Sequence, residues 1–165
     1  MRRTVWLVGA LALAGAAALG GMQFFGGNGG GGADSAGIPM TQADIEAGRE
    51  LYQANCAACH GAQGQGQHNW QERRADGKLP APPMNGDGHT WHHPDGQLFA
   101  MVKYGIEALA PEGYKSDMQG FDDRLSDREI RQVLAYIKST WPEEKLARQQ
   151  DTTRRASQNQ PSSRP

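Results

Sequence analysis

Two thiols and an imidazole lie within five residues, Cys56-Ala57-Ala58-Cys59-His60. This run constrains the 165-residue chain more than any other stretch, because Cys56 and Cys59 are its only cysteines. Two cysteines cannot staple a disulfide-rich scaffold and cannot build a four-Cys zinc site. A thioredoxin-like pair would need a βαβ context, yet no segment shows sustained period-two alternation, so strands are not expected. A Cys2His2 zinc site would have to recruit His89 with His92 or His93, and that spacing does not match a finger.

The remaining reading is chemical. Two thiols three residues apart at a helix end can each add to a vinyl group of one haem, and the adjacent His60 then reaches the iron. This is the c-type haem attachment pattern, and it predicts one covalent haem c held by Cys56, Cys59 and His60. The composition fits. Only 38% of residues are hydrophobic, and many of these are alanines in the first 25 positions. A porphyrin supplies apolar bulk that the side chains lack. The 17 basic and 18 acidic residues leave a net charge of −1, which excludes a strongly basic nucleic-acid binder.

The rest of the chain divides by composition. Residues 1–25 carry Arg2 and Arg3 and then an uncharged apolar run from Thr4 to Phe25. Such a run is a signal peptide or an N-terminal membrane anchor. At ~1.5 Å per residue, about 22 residues span roughly 33 Å, close to the ~30 Å hydrocarbon core. Both readings export the rest of the chain, as covalent haem c attachment requires. Residues 26–37 form a Gly-rich linker with a reach of roughly 20 Å, and a linker behind an anchor is a tether. Residues 38–142 form the domain, and the polar residues 143–165 are expected to be a disordered tail.

Within the domain, Thr41 and Asp44 make a Thr-x-x-Asp helix start, followed by Ile45, Gly48, Tyr52 and Cys56 on one face. A second helix is expected near Pro94, at the first helical position, carrying Leu98, Met101, Val102 and Tyr104. Ser126 and Glu129 form a capping box before Ile130, Val133, Leu134 and Ile137, and Pro142 stops that helix. The fold class is therefore all-α, a small domain of about three to five helices wrapped around one haem.

Residues 41–141 resemble the class I c-type cytochromes. Besides the Cys-x-x-Cys-His motif, Gly48 and Tyr52 match that family's first helix. Val133 and Tyr136, within Leu134-Ala135-Tyr136-Ile137-Lys138, match its last. Met118 opens Met118-Gln119-Gly120-Phe121, 58 residues after His60, where the family carries its axial methionine. Gln119 stands where Pro is more frequent. The resemblance implies iron ligation by His60 and Met118, and a Pro82 or Pro83 carbonyl accepting from the His60 imidazole. Trp91, His92 and Tyr104 are candidate donors to the haem propionates, against a plain packing role. Met84 is expected to pack near the haem and Met101 in the core. The loop holding His89, His92 and His93 offers an alternative histidine ligand or a copper site.

A six-coordinate His/Met iron implies a one-electron carrier and not an enzyme. The alternative is a haem enzyme or gas-binding protein with an open axial position. The implied redox partners are a quinol-oxidising complex, a terminal oxidase or a dehydrogenase, met by a monomer with no nucleic-acid role. The expected location is the periplasmic side of a bacterial inner membrane, anchored, or soluble in the periplasm or secreted if residues 1–25 are cleaved.

Overall fold

A computed structural model describes residues 37–159. The apolar N-terminal run of residues 1–25 and all of the linker but Gly37 lie outside the described residues. Five α-helices and one 3₁₀ turn make up the described chain: α1 (Gln42–Asn55), α2 (Ala57–His60), the turn Thr90–His92, α3 (Asp95–Tyr104), α4 (Asp127–Ser139) and α5 (Glu143–Asn159). Among the described residues the only extended pairing is an isolated bridge between Gly105 and Gln119. The domain is all-α, as the sequence predicts.

Local capping sets the helix starts. The Thr41 hydroxyl accepts from the Asp44 amide at 3.2 Å. At α4, Ser126 and Glu129 complete a reciprocal capping box, with Glu129 accepting from the Ser126 amide at 2.8 Å. Each motif satisfies amides that a helix start leaves without intrahelical partners. Pro94 corrects the expectation for α3. Its backbone is extended (ψ 157°), which makes it the cap, and Asp95 is the first helical residue.

The core is the crossing of α1 and α4. Ile130, Val133, Leu134 and Ile137 of α4 are buried, together with Tyr52 of α1. Gly48 sits where the backbones meet. A Cβ at this position would lie 1.9 Å from the Gln132 carbonyl oxygen, so only glycine permits the approach. Next to it, the Tyr52 and Tyr136 rings pack with centroids 5.2 Å apart, and Gln132 Nε2 donates to Asp44 Oδ1 at 3.1 Å.

The expected disordered tail at 143–165 is contradicted over most of its length, since residues 143–159 form α5. Pro142 stops α4 but also starts α5: its carbonyl accepts from the Lys145 and Leu146 amides at 2.9 and 3.0 Å. Apolar content misleads here because polar side chains anchor this helix. Gln149 is fully buried, and its Nε2 donates to Asp95 Oδ1 at 2.6 Å and to the His93 carbonyl at 3.2 Å. Lys145 Nζ donates to the Gly86 carbonyl at 2.8 Å, and the Asp95 amide donates to Thr153 Oγ1 at 3.0 Å. Residues 160–165 lie outside the described residues.

Asp95 is the hub of this arrangement. Its carboxylate takes two bonds from Lys138 Nζ of α4 at 2.7 and 2.9 Å. It also accepts from the Ile38 amide at 2.7 Å. One buried carboxylate thus joins the start of the domain, α3, α4 and α5.

A candidate haem site

The Cys-x-x-Cys-His run folds as the end of α1 passing into the single turn of α2. The Cys56 amide still bonds the Tyr52 carbonyl at 2.8 Å, and the His60 amide bonds the Cys56 carbonyl at 2.9 Å. Gly61 then turns the chain away at φ +83°, a conformation that favours glycine. Tyr52 fixes this exit, its hydroxyl donating to the Gly61 carbonyl at 2.8 Å. Burial raises the Tyr52 phenol to about 12, so it stays a donor at neutral pH.

Both thiols are free, Cys56 half-buried and Cys59 exposed. Burial, with a smaller contribution from Cys59, pushes the Cys56 thiol up to about 11. His60 is buried, and burial lowers its pKa against the opposing pull of the Pro82 carbonyl. The neutral ring therefore prevails. Its Nδ1 lies 3.0 Å from the Pro82 carbonyl oxygen. A carbonyl can only accept, so the proton sits on Nδ1 and Nε2 keeps its lone pair. That is the tautomer a metal-binding histidine needs, with ring orientation set by a partner behind it.

Between the two prolines offered by the sequence, the structure selects Pro82. Gly64 and Gly66 bring this about. The Gly66 amide donates to the His60 carbonyl at 2.7 Å, and the Met84 and Asn85 amides donate to the Gly64 carbonyl at 2.6 and 3.1 Å. A Cβ on Gly66 would lie 2.5 Å from the Pro83 nitrogen. The turn after the motif thus lies directly against Pro82-Pro83-Met84. The spacing Gly61-x-x-Gly64-x-Gly66 was the available sequence signal for it.

Met118 is half-buried and packs against the hydrophobic core, as do Cys56, Ala57, Met84, Trp91 and Phe99. Its backbone is held on both sides. Its amide donates to Ser116 Oγ at 3.0 Å, and its carbonyl accepts from the Ile106 amide at 3.2 Å. The rival thioether of Met84 accepts from the Thr90 hydroxyl at 3.4 Å. The indole N–H of Trp91, a candidate propionate donor, donates to the Gly88 carbonyl at 3.1 Å. Tyr104 is half exposed.

The three-histidine loop does not form a metal site. His89 stacks on Trp70 at 5.7 Å, and His92 packs edge-on against Trp91 at 3.8 Å. His93 Nδ1 pairs with Gln97 Oε1 at 3.1 Å. Among the described residues no group of three or more His, Cys, Asp or Glu side chains is arranged to hold a metal ion. The donor set around His60 is of another kind. A neutral, oriented imidazole, two free thiols within one helical turn and an apolar surround fit a covalently attached haem.

Comparison with known proteins agrees. The cytochrome c family model matches residues 45–141. The chain is 27% identical over 101 residues to the cbb3-type cytochrome c oxidase subunit FixP of Sinorhizobium medicae, covering 61% of this chain and 31% of that protein. It is 30% identical over 114 residues to a nitrite reductase of Stutzerimonas stutzeri, covering 66% of this chain and 18% of the reductase. The chain thus spans less than a third of either relative. Cytochrome cL from Methylophaga aminisulfidivorans shares 22% identity over 75% of this chain and 71% of its own, with a TM-score of 0.46. The family match covers more than half of the sequence: the chain belongs to the cytochrome c family, as a class I c-type cytochrome with covalently bound haem c as its cofactor.

Proposed function

We propose that this chain is a one-electron carrier in a respiratory chain, in which Cys56 and Cys59 would hold a covalent haem and His60 and Met118 would bind its iron. When bound, the haem supplies a one-electron iron couple, whose potential is raised by thioether ligation. The observation that carries the reading is the His60–Pro82 bond of 3.0 Å. It presents Nε2 as a lone-pair donor without help from any other side chain. Met118 offers a neutral sulfur on a backbone pinned at its amide and carbonyl. With both His60 and Met118 bound, the iron would have no position left for oxygen, peroxide or nitrite, and this separates a carrier from an enzyme. The nitrite reductase relative favours a second reading, in which Met118 would not bind and the iron would take substrate.

The Met118→Ala variant tests the two readings. For a carrier, haem stays attached and the potential falls by more than roughly 59 mV, a tenfold change in a one-electron equilibrium. Cyanide then binds the ferric protein rapidly. An unchanged potential in a potentiometric titration would remove Met118 as a ligand.

FixP is a subunit of a cytochrome oxidase, which supports partners among membrane redox complexes for this chain: a quinol-oxidising complex or dehydrogenase as donor and a terminal oxidase as acceptor. Among the described residues no helix is long and apolar enough to cross a membrane. The proposed anchor is the apolar run of residues 1–25. It would hold the haem domain on the periplasmic side at high effective concentration near such complexes. Fractionation of the expressed chain should place it in the membrane pellet. A soluble periplasmic form beginning near residue 20 would defeat the anchor.

A further inference from the structure

Three of the acidic residues flanking Met118, Asp117, Asp123 and Asp127, are exposed and yet paired with cations. Asp127 accepts from Lys103 Nζ at 2.7 Å, and Asp123 pairs with Arg124 at 3.4 Å. Asp117, immediately before Met118, is bound by two cations from a distant segment. Lys78 Nζ lies 2.5 Å from one carboxylate oxygen, and Arg74 holds the other.

The two cations are presented by a built turn. The Arg74 amide donates to the Lys78 carbonyl and the Gly77 amide to the Arg74 carbonyl, both at 2.9 Å. Gly77 takes φ +82°, which brings the chain back so that both side chains reach one carboxylate. Arg73 adds a second grip on the same stretch, its guanidinium lying 5.3 Å from the centre of the Tyr114 ring. The 73–78 turn therefore holds the segment that delivers Met118 at two points, across about 40 residues of sequence.

We propose that Asp117, clamped by Arg74 and Lys78, is a positioning residue that keeps the Met118 segment closed over the haem iron. The inference rests on Met118 as axial ligand and adds the device that holds it there. Met118's own backbone bonds go to Ser116 and Ile106, and the residues after it are tied to 102–105 by the Gly105–Gln119 bridge and the Phe121 amide. The Asp117 clamp is the tie that reaches across about 40 residues, to the 73–78 turn. Loss of the clamp leaves the fold's core, α1 on α4, untouched and acts on how often the segment lifts.

The clamp is exposed at Asp117 and Arg74, so each pair is a weak, salt-screened interaction. Two such pairs correspond to roughly a three- to tenfold change in the open population. The test is the rate of cyanide binding to the ferric haem protein, which reads how often the sulfur leaves the iron. Asp117→Asn and the double variant Arg74→Gln/Lys78→Gln should each bind cyanide about three- to tenfold faster than wild type. Asp117→Glu should restore most of the wild-type rate. About 1 M salt should accelerate wild type toward the variants and leave the variants nearly unchanged. Rates equal to wild type in both neutralised variants would overturn the clamp. If wild type itself binds cyanide at once and Met118→Ala changes nothing, then the ligand assignment fails, and the two failures are distinguishable.

Discussion

Replacing Asp95 by alanine is expected to destabilise the haem-loaded protein by about 3–5 kcal/mol, the usual consequence of breaking a buried ion pair on one side. Asp95 and Lys138 have side-chain exposures of 5% and 2%. Removing the carboxylate strands the buried Lys138 ammonium without its counter-charge. It also leaves the Ile38 amide and one Gln149 bond without their acceptor, and an unmet buried polar group costs about 1–3 kcal/mol. The buried Gln149 Oε1 already lacks a partner, so this cluster has little tolerance for further loss. The pair itself is not what makes the domain stable. A double replacement, Asp95→Leu with Lys138→Met, should recover more than half of the single-variant loss, because well-packed apolar residues often substitute for buried pairs without penalty. Denaturant unfolding of the full chain checks both. A cost under about 1 kcal/mol for Asp95→Ala would contradict the hub.

The second large effect is on haem retention. The double variant Cys56→Ala/Cys59→Ala should retain no haem on a denaturing gel stained for haem, and each single variant should retain less than wild type. His60 keeps its Pro82 partner in all of them. A haem held only by ligation dissociates, because the cofactor then binds by mass action and not by a covalent tie. The domain should lose stability with it, since the side chains alone supply a small core. Full haem retention in both single variants would refute attachment through these thiols.

What could be read from the sequence was local or chemically specific. The Ser126–Glu129 capping box and the Thr41 cap involve residues three apart, so their pattern is visible without the fold. The Gly48–Tyr52 face was legible because helix crossings require small residues at the contact. The Cys-x-x-Cys-His run fixed the cofactor class because few other uses of two cysteines and a histidine fit that spacing.

What the sequence hid is held by long-range polar bonds. Residues 143–159 contain few apolar side chains, so nothing in their pattern predicts burial. Gln149 is nevertheless fully buried, because His93 and Asp95, 56 and 54 residues away, accept from its amide. The same applies to Asp117, whose partners Arg74 and Lys78 lie 43 and 39 residues off. A single sequence cannot distinguish such a paired carboxylate from an unpaired one. Pro82 and Pro83 were equivalent in sequence, and only the turn made by Gly64 and Gly66 decides which carbonyl faces His60.

The proposed carrier would hold its haem iron from both sides, with His60 and Met118. The optical spectrum of the purified ferric protein reads that closure. A low-spin spectrum with the weak far-red band of sulfur-to-iron charge transfer is expected, the band being lost in Met118→Ala. A high-spin spectrum without that band would overturn the proposed ligation and point to an open iron.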